Sequence, residues 1–237
     1  MSLLSRVEDV LASMDVEGAQ ADKLLGDDLG MDSQELLCAT LDLQNSLCVK
    51  IEDDELSREM SVLDLTTVIS RKLAPAPIGS FDFSLSEDTV IRVPSGDVYK
   101  GLYEVDTWPL KLPHVRRIEK SYDDGLFQEF DMEVDGANGG IISVRSVRRC
   151  EPARILFFQP SPPKFMRHHC GEWILQPISA DITHLLTRHY WRLSQAAAEA
   201  FPGQEGVATG DRIQSWLAEH ARFALVCWKA HFEGNRR

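Results

Sequence analysis

Apolar residues recur at three- and four-residue spacing in the first third of the chain, and this spacing predicts amphipathic helices. A first helix is predicted from Leu3 to about Asp15, a second from Ser33 to near Leu47, and a third over residues 61–73. We expect the second and third helices to bury Leu36, Leu37, Leu41, Leu47, Val62, Leu65, Val68 and Ile69. Three helices with a long first loop predict a small all-α bundle of three or four helices.

A proline-rich stretch interrupts the helical pattern. Residues 74–80 read Ala-Pro-Ala-Pro-Ile-Gly-Ser, and two prolines separated by alanine favour an extended linker. We therefore predict two domains, residues 1–73 and residues 81–237.

Beyond the linker the apolar period changes to two. Phe130, Met132 and Val134 alternate with Glu129, Asp131 and Glu133, a pattern typical of a strand with one buried face. Further strands are predicted over residues 89–93, 115–122, 141–149, 154–159, 171–177 and 183–193. A short helix is predicted over residues 95–104, and a long amphipathic helix over residues 211–233. This order predicts an α+β helix-grip domain, in which a curved antiparallel sheet wraps a long C-terminal helix around a cavity.

The negative charge is concentrated in the first domain. Residues 1–73 hold sixteen acidic and six basic side chains, which gives −10 of the chain's net charge of −12. Such a surface repels nucleic acid and anionic membranes, and it attracts basic patches on protein partners.

The five cysteines show no paired spacing, and no run of eighteen apolar residues or secretion signal is present. We expect a cytoplasmic protein with no membrane span.

Ser33 lies where a polar loop becomes a helix. The sequence Asp28-Leu29-Gly30-Met31-Asp32-Ser33 precedes the apolar pattern, so the serine hydroxyl lies at the positive end of a helix, where a phosphodiester is favoured. A serine that simply caps the helix is the alternative.

The first domain resembles the acyl carrier proteins, which carry their prosthetic group on the serine of such an Asp-Ser step. The resemblance implies a covalent 4'-phosphopantetheine on Ser33, attached by a phosphopantetheinyl transferase. It also implies that Glu35 and Asp42, on the following helix, dock basic patches on polyketide synthase components such as a ketosynthase. A solvated helix face is the alternative for both residues.

The second domain resembles the START-like (Bet v 1-like) polyketide aromatase/cyclases. The resemblance rests on Trp108-Pro109 followed by Leu112-Pro113-His114-Val115, and on the sequence His168-His169-Cys170-Gly171-Glu172-Trp173. It implies that Trp108 and Trp173 shape the substrate, and that Phe130 and Val144 line the same cavity.

The strand over residues 141–149 indicates where an oxygen-binding group lies. Ile142 and Val144 share strand parity with Ser146 and Arg148, so an inward apolar pair brings the hydroxyl and the guanidinium inward as well. The resemblance implies that Arg148 and Ser146 bind ketone or enolate oxygens of the substrate. The alternative is an arginine that forms a salt bridge with Glu151 or Glu172.

A proton shuttle would assist dehydration, and the sequence offers histidines for it. His114 follows the Trp-Pro motif, although a partly exposed loop histidine is equally compatible. His168 and His169 have opposite strand parity, so at most one of them faces the cavity. Their spacing on one strand does not suit a tetrahedral metal site, and we predict no metal.

Together these features predict an acyl carrier domain fused to an aromatase/cyclase. The expected function is to carry a poly-β-ketone thioester and direct its aldol cyclisation and aromatisation. The alternative is a carrier fused to a non-catalytic module that binds a hydrophobic acyl, lipid or quinone ligand. The polarity of the cavity distinguishes cyclisation from non-catalytic binding. Inward-facing Arg148 and Ser146 with a nearby histidine would favour catalysis, and a uniformly apolar interior would favour binding.

Overall fold

The structure of the chain is a computed structural model, which describes residues 1–52, 54–75, 79, 81–136, 139–201 and 207–234. The chain forms two compact units, one of Met1–Ala76 with Gln176–His184, and one of Pro77–Leu175 with Leu185–Arg237. Within the predicted linker, residues 76–78 and 80 lie outside the described residues. None of the helices in the described part combines the length and the apolar composition that a bilayer crossing requires.

The first unit contains three helices, α1 (Leu3–Ser13), α2 (Ser33–Leu47) and α3 (Val62–Leu73). Helix α2 begins with a capping box, in which the Asp32 side chain accepts from the backbone N–H groups of Gln34 and Glu35. The Glu35 carboxylate in turn accepts from the Asp32 N–H at 2.9 Å. The alternative that Ser33 caps the helix is therefore wrong, because Asp32 occupies that position and Ser33 is the first helical residue.

The buried face of α2 differs from the prediction. Leu37 and Leu41 are 55% and 51% exposed, whereas Ala39 and Leu43 are buried. The inward stripe continues to Leu47, which is buried as predicted, and it follows the four-residue spacing of these three positions. In α3 the predicted residues Val62, Leu65, Val68 and Ile69 are all buried.

The second unit is built on a seven-stranded sheet with strand order β1-β7-β6-β5-β4-β3-β2. The strands are β1 (Phe83–Ile91), β2 (Val115–Asp123), β3 (Phe127–Asp135), β4 (Ile141–Glu151), β5 (Arg154–Ser161), β6 (Met166–Pro177) and β7 (Thr183–Leu193). The helices are α4 (Ser95–Tyr103), α5 (Trp108–Lys111), α6 (Ala197–Ala200) and α7 (Thr209–Gly234), with a 3-10 turn over Val105–Thr107. The meander and the long C-terminal helix were predicted, whereas β1 and β6 begin earlier than expected and α5 was not foreseen.

Cross-strand register places one face of the meander against the interior. Phe130 lies opposite Ser146, Met132 opposite Val144, and Val134 opposite Ile142 in the antiparallel β3–β4 pair. Helix α7 contributes Leu225 and Trp228 to the apolar core of this unit. The sheet and the long helix thus form the helix-grip arrangement predicted for this part of the chain.

Candidate functional site

A cavity of about 160 Å³ lies between the sheet and α7 of the second unit. Eight of the residues predicted from the sequence line it: Trp108, His114, Phe130, Val144, Ser146, Arg148, His169 and Trp173. The alternation along β4 explains the set, because Ile142, which also lines the cavity, shares strand parity with Val144, Ser146 and Arg148.

His168 is the predicted cavity residue that the structure places elsewhere. Its side chain is exposed, whereas His169 is buried and lines the cavity. The two residues are consecutive in β6, so their side chains point to opposite faces of the sheet. A role for His168 inside the cavity is therefore wrong.

Arg148 is buried, with only 2% of its surface exposed, and its hydrogen bonds go to uncharged oxygens. Its Nη1 donates to the Leu102 carbonyl at 2.9 Å, and its Nη2 donates to the Tyr103 carbonyl at 3.0 Å and to Gln128 Oε1. Leu102 and Tyr103 end α4, whose last carbonyls carry the negative end of the helix dipole and have no partner within the helix. The guanidinium therefore serves as the cap of α4.

Two aromatic faces also stabilise this buried charge. The Arg148 guanidinium carbon lies 5.3 Å from the ring centroids of both Trp108 and Phe130. Burial lowers the pKa of Arg148 to about 10, so the group is still charged at neutral pH.

The salt bridge considered for Arg148 is not formed. Glu151 pairs with Arg149 at 2.7 Å, and Glu172 pairs with Arg154 at 2.5 Å. A guanidinium has five N–H donors, and the bonds described above use three of them. Among the described residues, the buried Nε of Arg148 has no hydrogen-bond partner. This arginine therefore retains donor groups that no described residue uses.

His114 and His220 form a pair of neutral imidazoles. Their ring centroids are 5.3 Å apart, and burial is the main cause that lowers the pKa of His114 to about 4, with His220 as the second cause. Within the described residues, neither His220 Nε2 nor His114 Nδ1 has a hydrogen-bond partner. Each neutral ring therefore keeps a nitrogen that no described group occupies, and an unprotonated imidazole nitrogen can accept a proton.

A second pair, His169 and His189, is linked by direct hydrogen bonds. His169 Nδ1 lies 2.7 Å from Gln159 Oε1, and its Nε2 lies 3.0 Å from His189 Nδ1. An amide oxygen only accepts, so His169 Nδ1 carries the proton and its Nε2 accepts from His189. His189 Nε2 is then an acceptor, 3.3 Å from Thr187 Oγ1. Burial lowers the pKa of His189 to about 4 and that of His169 well below its usual value.

His189 and His220 were not predicted as site residues, although the sequence carried a signal for each. His189 shares strand parity with Leu185 and Thr187, and His220 lies on the same face of α7 as Leu217 and Ala224. A histidine on an otherwise apolar face is usually a core residue. For this reason neither His189 nor His220 was predicted as a site residue. Within the described residues, no group of three or more His, Cys, Asp or Glu side chains is arranged to hold a metal ion.

The low pKa values of the cavity histidines predict acid destabilisation. Between pH 6.5 and 4, unfolded chains bind protons that folded His114 and His189 exclude, so stability falls as the pH drops. At about pH 5 we expect a loss near 2 kcal/mol for each histidine relative to neutral pH. Urea unfolding followed by tryptophan fluorescence measures it. Replacing His189 with glutamine should reduce the loss, and replacing the exposed His168 should not; equal losses in both variants would contradict the assignment.

The first unit presents a separate groove next to Ser33. Ser33 is exposed at the first position of α2. The groove is lined by Ser33, Leu36, Leu37, Thr40, Leu56, Ser57, Arg58 and Glu59. An exposed hydroxyl at a helix N-terminus, with apolar and polar walls beside it, is accessible to modification.

Comparisons with known proteins identify relatives of this chain. No family model matches the sequence. The bifunctional cyclase/dehydratase of the actinorhodin polyketide synthase from Streptomyces coelicolor is 38% identical over 99 residues, which cover 37% of this chain and 31% of that protein.

Solved structures of aromatase/cyclases resemble the fold. The di-domain protein StfQ from the steffimycin biosynthetic pathway matches with a TM-score of 0.57 and 27% identity, over 64% of this chain and 51% of that one. The aromatase/cyclase Zhui from Streptomyces sp. R1128 matches at 0.57 and 20% identity, over 65% of this chain and 96% of that one. The chain spans about a third of its curated relative and half of StfQ. The sheet and the long C-terminal helix of the second unit therefore have the fold of the aromatase/cyclases StfQ and Zhui.

Proposed function

We propose that the second unit cyclises and aromatises a poly-β-ketone, and that the first unit carries this substrate as a thioester. The observation that supports cyclisation most directly is the buried Arg148, which lines an otherwise largely apolar cavity and whose Nε has no hydrogen-bond partner among the residues that the structure describes. Capping of α4 uses only the Nη groups of this arginine, so the proposal assigns its remaining donors to oxygen atoms of the substrate.

The reaction requires little chemical activation. A CH₂ group between two carbonyls loses a proton to a base, and the resulting enolate carbon forms a bond to a second carbonyl carbon of the same chain. The attacked oxygen takes up a proton and later leaves as water together with a second α-hydrogen. Enolisation of the remaining ketones then gives the aromatic ring without an oxidant. Folding the chain into one register is the main task.

The described residues divide this work in a simple way. Arg148 donates hydrogen bonds to the enolate and alkoxide oxygens, with Ser146 beside it on the same strand face. Trp108, Phe130 and Trp173 exclude water and hold the chain in a bent shape.

Neutral imidazoles supply the proton transfer. In the described part of the chain, His220 Nε2 and His114 Nδ1 have no hydrogen-bond partner, and the two rings lie against each other. A neutral imidazole accepts the acidic α-proton and returns it during loss of water. The hydrogen-bonded His169 and His189 pair is less available, because both nitrogens of His169 are occupied.

The first unit suits a phosphopantetheine carrier. Ser33 is exposed, it is not the helix cap, and the groove beside it offers both apolar side chains and Arg58. The group would be joined to the Ser33 hydroxyl and would supply a thiol that holds the acyl chain as a thioester. The exposed Glu35, Leu37, Leu41 and Asp42 on α2 form the proposed docking surface for a phosphopantetheinyl transferase and for ketosynthase components.

The experiment that tests cyclisation adds the purified protein to a ketosynthase system that releases a poly-β-ketone. We expect the products to shift from a mixture of spontaneously cyclised compounds to one aromatic regioisomer. Products that are bound and protected, with an unchanged distribution, would favour the alternative in which the cavity serves as a binding module for a hydrophobic acyl or quinone ligand.

Modification of Ser33 is predicted separately. Incubation with a phosphopantetheinyl transferase and coenzyme A is expected to add one phosphopantetheine to the wild-type chain, detected by intact-protein mass spectrometry. The Ser33→Ala variant should gain none, because it lacks the hydroxyl. Ser46→Ala, at the other end of the same helix, is the matched control and should still be modified. An unmodified wild-type chain would remove the carrier proposal.

A further inference from the structure

Gln128 contacts the buried arginine and is itself completely buried, with none of its surface exposed. It lies directly opposite Arg148 in the β3–β4 register. Its Oε1 accepts from Arg148 Nη2 and from the Cys150 thiol, which is 3.8 Å away. Its Nε2 donates to the Tyr103 carbonyl at 3.3 Å and to Asp123 Oδ2 at 3.0 Å. All four hydrogen-bonding positions of the amide are therefore used.

These partners fix the orientation of the amide. A guanidinium only donates, so it faces the amide oxygen, whereas a carbonyl and a carboxylate only accept, so they face the amide nitrogen. Only a neutral group with one donor end and one acceptor end fits between Arg148 and Asp123. A carboxylate at position 128 would meet the Tyr103 carbonyl and Asp123 with repulsion.

The amide also determines how much positive charge Arg148 presents to the cavity. Asp123 is ionised, because hydrogen bonds from the Tyr103 hydroxyl and from Lys120 are among the contacts that hold its pKa well below the usual range. Lys120 also pairs with Asp106 at 2.8 Å. Asp123 thus shares Lys120 with Asp106, and its hydrogen bond to Gln128 connects it to Arg148 through the amide. Among the described residues no carboxylate contacts the guanidinium directly, so the arginine charge is only partly compensated.

We propose that Gln128 is a positioning residue, which holds Arg148 in place through a neutral contact and so keeps the positive charge available to a substrate oxygen. Asp123 is the remote counter-charge in this arrangement. The inference rests on the proposed function, in which Arg148 stabilises enolate and alkoxide oxygens, and it adds the residue that determines the strength of that stabilisation.

The test measures the ionisation of a small phenol inside the cavity. 4-Nitrophenol ionises near neutral pH with a large change in absorbance, and its oxygen is a simple analogue of an enolate oxygen. The pKa of the bound phenol reports the positive potential at Arg148 independently of any cyclisation assay. In the wild-type protein we expect this pKa to lie about one pH unit or more below that of free 4-nitrophenol.

Two variants are expected to shift the phenol in opposite directions. Gln128→Glu places a carboxylate directly on the guanidinium and should raise the pKa of the bound phenol by about one pH unit. Asp123→Asn keeps an acceptor for Gln128 but removes the remote negative charge, so it should lower the same pKa by a smaller amount. If Gln128 and Asp123 had a purely structural role, both substitutions would disturb the cavity, and the two shifts in the pKa of the bound phenol would not have opposite signs.

A double-mutant cycle with Arg148→Met then tests whether Gln128→Glu changes the pKa of the bound phenol through Arg148. In the Arg148→Met background we expect Gln128→Glu to lose most of its effect on the phenol. A full effect in that background, or shifts of the same sign in Gln128→Glu and Asp123→Asn, would overturn the inference. If Arg148→Met fails to fold, the opposite signs of the two other variants still decide it.

The outcomes also separate this inference from the proposed function. An unperturbed phenol in the wild-type protein, or one that does not bind, contradicts the oxygen-binding role of Arg148 and with it both proposals. A phenol that responds to Arg148→Met but not to the Gln128 and Asp123 variants contradicts the positioning role alone. Near-ultraviolet circular dichroism verifies that each variant retains its tertiary packing.

Discussion

Replacing Arg148 with methionine is expected to lower the rate of cyclisation by about two to three orders of magnitude, the range seen when a preorganised oxyanion donor is removed. Methionine keeps much of the side-chain volume between Trp108 and Phe130 but removes the charge and all five donors. The enolate and alkoxide oxygens would then develop negative charge in an apolar cavity without stabilisation.

The measurement is the rate of formation of the aromatic product from a poly-β-ketone, together with the ratio of regioisomers. Arg149→Met is the matched control, because Arg149 is the next residue in β4 and forms an ion pair at the exposed face with Glu151. We expect this control to retain both rate and regiochemistry. Full activity and unchanged regiochemistry in Arg148→Met would remove the central claim of the proposed mechanism.

Replacing Gly171 with alanine is expected to destabilise the second unit by about 3 kcal/mol. A Cβ at this position would lie 2.2 Å from the Arg188 carbonyl oxygen and 2.4 Å from the Phe157 ring. A side chain could rotate away, but a backbone oxygen in the neighbouring strand cannot, so the sheet itself must move. Phe157 lies opposite Gly171 in the β5–β6 register and lines the cavity, so ligand binding should weaken as well.

Tryptophan fluorescence during urea unfolding measures this change in the second unit alone, because all five tryptophans lie there. Gly96→Ala is the control, since a Cβ in the first turn of α4 meets nothing within 4 Å among the described residues. Alanine there should leave stability unchanged or raise it by about 0.5 kcal/mol. Similar free energies of unfolding for both variants would show that β6 tolerates a side chain at position 171.

The sequence was most informative where a local rule determines the structure. The two-residue period of β4 placed Ile142, Val144, Ser146 and Arg148 on one face, and the structure confirms that all four line the cavity. The same rule allowed only one of His168 and His169 to face inward. Likewise, the spacing of apolar residues in α3 and α7 predicted both helices.

Features that depend on distant parts of the chain could not be predicted in this way. The partners of Arg148 lie at the end of α4 and in β3, 45 and 20 residues away, and no spacing rule links them. Gln128 was overlooked although it shares strand parity with Phe130, Met132 and Val134, because nothing in its local pattern indicates a buried charge beside it. In α2, leucines at positions 37 and 41 suggested a buried face, but the smaller Ala39 packs inward there instead.

The capping of α4 by Arg148 has an evolutionary consequence. A substitution at this arginine would leave the carbonyls of Leu102 and Tyr103 without these bonds and, under the proposed function, would also remove the group that binds the substrate oxygen, so we expect position 148 to tolerate few residues. The wall residues Met132, Ile142 and Val144 carry no such double constraint. Under the proposed function, we therefore expect substitutions at these wall residues to change the size and shape of the accepted substrate while Arg148 continues to bind its oxygen.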